Sequence, residues 1–167
     1  MKHLISWLDS PAVDMTVFRD ETKIAIGDSD GKVYILDCDS AELLDSVKSM
    51  GESVGMLEID DINNIIYSHG SQISVISDAL EPIAQFKIDT ESLGKMIFMR
   101  SMQNLIIVGT ESSSFVLLDA MTGEVKSTFK PKGWSLSSSV KFLRPQTGSV
   151  ASLGGTISGQ LFMFDIN

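Results

Sequence analysis

Four stretches of this chain end in the same way, and their spacing constrains the fold more than any other feature. An apolar or small residue followed by aspartate closes each one: Leu36-Asp37, Ser77-Asp78, Leu118-Asp119 and Phe164-Asp165. From positions 37, 78, 119 and 165 the intervals are 41, 41 and 46 residues. Each aspartate closes a run with strand character: Val33 to Leu36, Ile73 to Ile76, Phe115 to Leu118 and Leu161 to Phe164. Upstream lies a second run that ends in glycine: Ile24 to Gly27, Ile65 to Gly70, Leu105 to Gly109 and Val150 to Gly154. Two such runs joined by a short polar loop make a β-hairpin. The clearest is Lys23 to Asp37, with its turn at Asp28-Ser29-Asp30-Gly31. Gly31 can take the positive φ such turns need, and the aspartates can bond the turn's own amides.

Two weaker strands flank each hairpin. Met15 to Phe18, Val54 to Ile59, Met96 to Met99 and Val140 to Leu143 precede it; Glu42 to Val47, Pro82 to Phe86 and Glu124 to Phe129 follow it. A repeat of about forty residues with four short strands predicts the blade of a β-propeller. The expected fold is therefore all-β: one domain over 1–167 with about four blades, each a four-stranded antiparallel sheet. The blades are placed at 13–48, 53–87, 94–129 and 138–166, with residues 3–8 completing the last. Four blades allow either a small closed ring or a partial propeller. An open arc would leave apolar blade faces uncovered, which marks association sites.

The arrangement resembles the WD-repeat β-propeller family over about residues 3 to 166. In that family the third strand commonly ends in Trp-Asp; here Asp stands four times, with Leu36, Ser77, Leu118 and Phe164 in place of Trp. The Gly-His pair usual before the first strand is absent from all four units, so the family's hydrogen-bond network is expected to be incomplete. The stretch Leu117 to Phe129 also resembles the repeat of quinoprotein dehydrogenases, but those repeats place Trp where Ser127 stands. What the WD-like resemblance implies is a non-catalytic scaffold for protein–protein interaction. The alternatives are a structural subunit or fragment that completes a larger propeller with another chain, and a quinoprotein-like oxidoreductase half-ring.

Charge narrows the partners. Twenty-two acidic against thirteen basic residues give a net charge of −9, which disfavours nucleic acid and anionic membranes. The densest basic stretch, Lys126 to Lys132, holds three lysines. One cysteine, Cys38, allows no internal disulfide or thiolate cluster. With no run approaching the roughly 18 apolar residues of a membrane span, a cytoplasmic address is expected, with the nucleus as the alternative.

No catalytic, cofactor or metal constellation emerges. Asp28-x-Asp30-Gly31 begins like a calcium loop, but Lys32, Val33 and Tyr34 follow where a further carboxylate is needed. Gly154 to Gly159 lacks the lysine of a phosphate loop. The loops at 28–30, 51–53, 69–71, 89–92, 111–113, 131–135 and 154–158 are expected to face a protein partner. Candidate contacts are Trp134, as an aromatic anchor, His69 as a rim residue, and the acidic side chains Asp28, Asp30, Glu52, Glu91 and Glu111, which suit a basic segment. Asp89 belongs with the same acidic loops.

Overall fold

The alternation of apolar runs and turns becomes four antiparallel sheets. The computed structural model describes residues 8–48, 52–102, 104–130, 136–143, 151–156 and 161–165, with backbone alone beyond 130. Sheet one is β1 (Ala12–Val17), β2 (Lys23–Asp28), β3 (Lys32–Asp37) and β4 (Leu43–Lys48). Sheet two is β5 (Val54–Ile59), β6 (Ile65–His69), β7 (Gln72–Ile76) and β8 (Pro82–Lys87). After the single turn α1 (Thr90–Leu93), sheet three is β9 (Met96–Met102), β10 (Leu105–Thr110), β11 (Phe115–Asp119) and β12 (Val125–Phe129). Sheet four contains β13 (Leu136–Leu143), β14 (Ala151–Thr156) and β15 (Leu161–Asp165). In every sheet the strands pair in chain order. The expected fourth strand of sheet four, residues 3–8, falls outside the described residues except for Leu8.

The chain divides into two compact units, Met1–Ile88 and Asp89–Asn167. In the first, burial of both hairpin strands explains their near-continuous apolar character. β2 and β3 are buried along most of their length, whereas β1 and β4 are largely exposed. One face of sheet one (Ala25, Val33, Ile35, with Val47 at the margin) packs on one face of sheet two (Leu57, Ile59, Ile65, Tyr67, Ile76). Gly27 lies at the closest approach: a Cβ built there would stand 2.7 Å from Val54 Cβ. Polar ties align the two sheets. Asp14 Oδ2 accepts the Leu57 amide at 2.8 Å, and the Arg19 guanidinium donates to the Ile59 carbonyl at 3.3 Å.

In the second unit, the row across sheet three is aromatic. Phe98 and Phe115 flank Gly109 in register, and Phe115 faces Phe129. Ring centroids are 5.7 Å apart for Phe98 and Phe115, and 6.5 Å for Phe115 and Phe129. A glycine between bulky neighbours lets the Phe98 ring lie across the backbone; a Cβ at Gly109 would come within 2.6 Å of Phe98 Cδ1. β9 runs beside β13, so the inner strands of sheets three and four are neighbours.

The repeated aspartate has a structural reason, and one of its four positions needs correcting. Asp37 Oδ1 accepts the amides of Asp39 and Ser40 at 3.0 and 2.8 Å, closing the turn between β3 and β4. Asp119 Oδ1 does the same for Met121 and Thr122, both at 3.0 Å. These bonds, with the Ser40 and Thr122 amides foremost, hold both carboxyl groups below the usual carboxylate range. Asp165 occupies the matching register opposite Ala151. In sheet two the equivalent residue is Ser77, not Asp78. Its hydroxyl accepts the amides of Ala79 and Glu81 at 3.3 and 3.1 Å. The Ser77 amide reaches the Glu81 carbonyl, whereas Asp37 and Asp119 reach Glu42 and Glu124, so this turn is one residue shorter. Asp78 instead forms an exposed ion pair with Lys23 at 3.5 Å, of a kind that contributes little stability.

Candidate functional site

Within each unit, the turn between the second and third strands lies beside the connection that enters the first strand. Ser29 N donates to the Pro11 carbonyl at 3.0 Å, and Ser10 Oγ to Asp30 Oδ2 at 2.5 Å. In the second unit, Glu111 N donates to the Lys95 carbonyl at 2.9 Å and Ser112 N to the Leu93 carbonyl at 3.4 Å. These bonds gather the loops at one end of sheet one and at one end of sheet three. The gathered loops carry most of the acidic candidates.

Asp28 is the exception among the carboxylates. It is fully buried, at 0% exposure, and cannot meet a partner. Its Oδ1 accepts the amides of Asp30 and Lys32 at 2.9 and 2.7 Å, and its Oδ2 accepts the Tyr34 hydroxyl at 2.9 Å. The Tyr34 oxygen in turn accepts the Asp9 amide at 3.3 Å. Burial pushes the Tyr34 phenol up, so it remains a donor. Gly31, at φ 81°, supplies the left-handed step that turns these amides inward. Thus a tyrosine from the third strand completes the turn network that lacks histidine and tryptophan. Lys32 closes the outside: its Nζ is 3.0 Å from Asp9 Oδ2 and 4.7 Å from the Tyr34 ring centroid.

His69 also departs from expectation. It ends β6 and is only 2% exposed, because its side chain shares the face that packs toward sheet one. Gly70 and Ser71 form the tip instead. Its Nε2 lies 2.8 Å from Ser74 Oγ and 3.4 Å from Gln85 Nε2, and its ring is 5.5 Å from Tyr67. The Ser74 hydroxyl and the Gln85 amide both face Nε2, partners that suit a ring nitrogen without its proton. Burial lowers the His69 pKa from its ordinary 6.5 more than the Glu52 charge raises it. Between that folded value and 6.5 the unfolded chain binds more protons, so stability rises with pH there. Stability to urea is therefore expected to fall as pH drops from 7.5 to 5.5, and H69Q should flatten that fall. The depressed carboxylates lose their contribution only below about pH 4, so they do not mask the effect.

The remaining acidic candidates are exposed. Asp30 and Glu52 stand on the loop end of the first unit with Asp9. The Glu52 carboxylate lies against Gly70. In the second unit Glu91 and Glu111 are exposed with Asp89. The expected loop at 89–92 contains a single helical turn, capped by Asp89, which accepts Ser92 N at 3.3 Å and Ser92 Oγ at 2.6 Å. The sequence signal was the Asp89-x-x-Ser92 spacing, a capping pattern. Trp134 lies outside the described residues. Among the described residues no group of three or more His, Cys, Asp or Glu is placed to hold a metal.

A feature unforeseen from sequence is a cleft of about 320 Å³ near the outer strands of sheets one and two. Val47, Tyr67, Ile76, Leu80 and Ile83 form its apolar wall, while His69, Ser74 and Gln85 supply its polar wall. No local motif announces it, since it opens only where Val47 and Lys48 of sheet one stand beside residues 67–85 of sheet two.

Comparison with solved structures identifies the fold. The chain superposes on the computationally designed Ika4 protein with a TM-score of 0.72 at 11% identity, covering 100% of this chain and 99% of that one. BamB from Moraxella catarrhalis gives 0.68 at 16% identity, with 95% of this chain and 48% of that chain covered. BBS1N, solved in complex with ARL6DN, gives 0.78 at 10% identity, with 95% and 53% covered. With neighbours of this type, the four sheets are blades of β-propeller architecture. The chain spans about half the length of BamB and BBS1N. No protein-family model matches the sequence, and no curated protein matches it.

Proposed function

We propose that this chain is a non-catalytic interaction scaffold whose acidic blade-end loops bind a basic segment of a protein partner. The observation that carries this reading is the placement of Asp30 and Glu52 in one unit, and Glu91 and Glu111 in the other, on exposed loops. Backbone and capping bonds hold the loops of Asp30, Glu91 and Glu111 before any partner arrives, and preorganisation lowers the ordering cost of association. BBS1N offers a parallel at the level of fold: a propeller-type structure solved with a protein bound. The net charge of −9 favours a cationic peptide over nucleic acid or an anionic bilayer. Among the described residues no helix is long and apolar enough to cross a membrane, and a cytoplasmic setting fits this reading.

The test is binding of a fluorescent lysine- and arginine-rich peptide, followed across salt concentrations, with a glutamate-rich peptide as control. The basic peptide should bind preferentially and weaken as salt rises. The pair D30K and E52K should slow association about tenfold and flatten the salt dependence. Equal binding of both peptides, or unchanged rates in the reversed variant, would overturn the proposal.

A further inference from the structure

The cleft between sheets one and two combines open space with buried hydrogen-bonding groups. Both of its walls belong to the first unit: Val47 on β4 forms one side, and Tyr67, Ile76 and Pro82 of sheet two form the other. Its volume of about 320 Å³ lies at the lower end of small-molecule sites. A gap between two sheet faces suits a flat ring. Part of the lining is polar. Ser74 Oγ stands 2.8 Å from His69 Nε2 and 3.3 Å from Gln85 Nε2, which also reaches Gln72 Oε1 at 2.9 Å. Ser74 and His69 are 5% and 2% exposed. Gln85 is exposed, and its carbonyl oxygen accepts no bond among the described residues.

Charge decides which ring-bearing molecules fit. Burial lowers the His69 pKa from 6.5 and raises that of Tyr67. Near neutral pH the polar side chains of the cleft, Tyr67, His69, Ser74 and Gln85, therefore carry no charge. A charged head group brought among them would lose its water and gain no opposite charge, at a large cost. Among the described residues Lys48 is the one charged side chain in the lining, and it is exposed and stays hydrated. We propose that this cleft binds a small aromatic molecule bearing an uncharged group that both donates and accepts hydrogen bonds, such as a primary amide. The amide would donate to the open Gln85 carbonyl and accept from the Ser74 hydroxyl or the Gln85 nitrogen. The ring would lie against Val47, Ile76 and Pro82. Binding of this kind is independent of the acidic loops.

Imidazole proton NMR on the full chain tests this directly, because His3 and His69 are the two histidines of the sequence and H69Q identifies the His69 signals. The probes are phenylacetamide, phenylacetate and phenethylamine, which share a ring and differ in charge. At about pH 7.5 the amide should shift the His69 signals with a dissociation constant of roughly 1 mM or tighter, as expected for a fragment of this size. The anion and the cation should each bind at least about fivefold more weakly. Q85M keeps the length of an exposed side chain and removes its amide, so it should weaken phenylacetamide about fivefold or more and leave the circular-dichroism spectrum unchanged. His69 signals unmoved by about 20 mM phenylacetamide overturn the proposal. So does either ion binding as tightly as the amide, or amide binding that Q85M leaves intact.

Discussion

Replacing Asp28 by alanine is expected to destabilise the first unit by about 3–5 kcal/mol, the largest effect of any single polar substitution discussed for this chain. The carboxylate accepts three donors, the amides of Asp30 and Lys32 and the Tyr34 hydroxyl. Truncation strands all three at once. A stranded buried donor costs roughly 1–3 kcal/mol, and water can reach the two turn amides more readily than the phenol. Y34F removes one donor and should cost less, about 1–2 kcal/mol. Urea denaturation would read both as shifts of the midpoint at unchanged slope. A cost below about 1 kcal/mol for D28A would mean that the turn does not depend on this network.

The second large effect is expected at Gly27. Its backbone passes so close to Val54 that a new methyl would stand 2.7 Å from Val54 Cβ, inside any tolerable carbon–carbon contact. Val54 is fully buried and belongs to the core between sheets one and two, so it has little room to retreat. G27A should therefore cost about 2–3 kcal/mol through overpacking. The clash has a single named partner, which makes it testable by a double-mutant cycle. V54A alone opens a small cavity, but combined with G27A it removes the γ-methyl groups that crowd the new Cβ and leaves only the Cβ contact to relax. The double variant should be more stable than the sum of the two single losses by about 1–2 kcal/mol. Simple additivity in thermal or urea unfolding would place the strain elsewhere.

Local chemistry accounts for how much of the blade was legible beforehand. The hairpin from Lys23 to Asp37 could be read because β-branched runs, a glycine at the αL position and turn aspartates all point to one conformation. Asp37 and Asp119 stood out in the sequence as strand ends, and the structure supplies the reason: each carboxylate closes the following turn on Ser40 or Thr122. Ser77 was misaligned with its neighbour Asp78 because regular spacing of aspartates masked a turn one residue shorter. A hydroxyl satisfies the same amides, so the position did not need a carboxylate.

The candidate site was legible only in part. Asp30, Glu52, Glu91 and Glu111 are exposed where the turns placed them. Asp28 and His69 sit only a residue or two from loop tips, yet one is consumed by its own turn and the other by the Ser74 and Gln85 pair. Both end a second strand, and a strand's final side chain faces inward or outward according to the pleat, not to its distance from the tip.

Sequence alone was sufficient for the strand order, the hairpin turns and the fourfold repeat, since each rests on contacts between residues close along the chain. Tertiary packing decided which faces meet within the first unit, why Gly27 tolerates no side chain and why His69 is buried. Those outcomes depend on pairs such as Val54 with Gly27, or Leu57 with Asp14, that are brought together only when whole sheets dock.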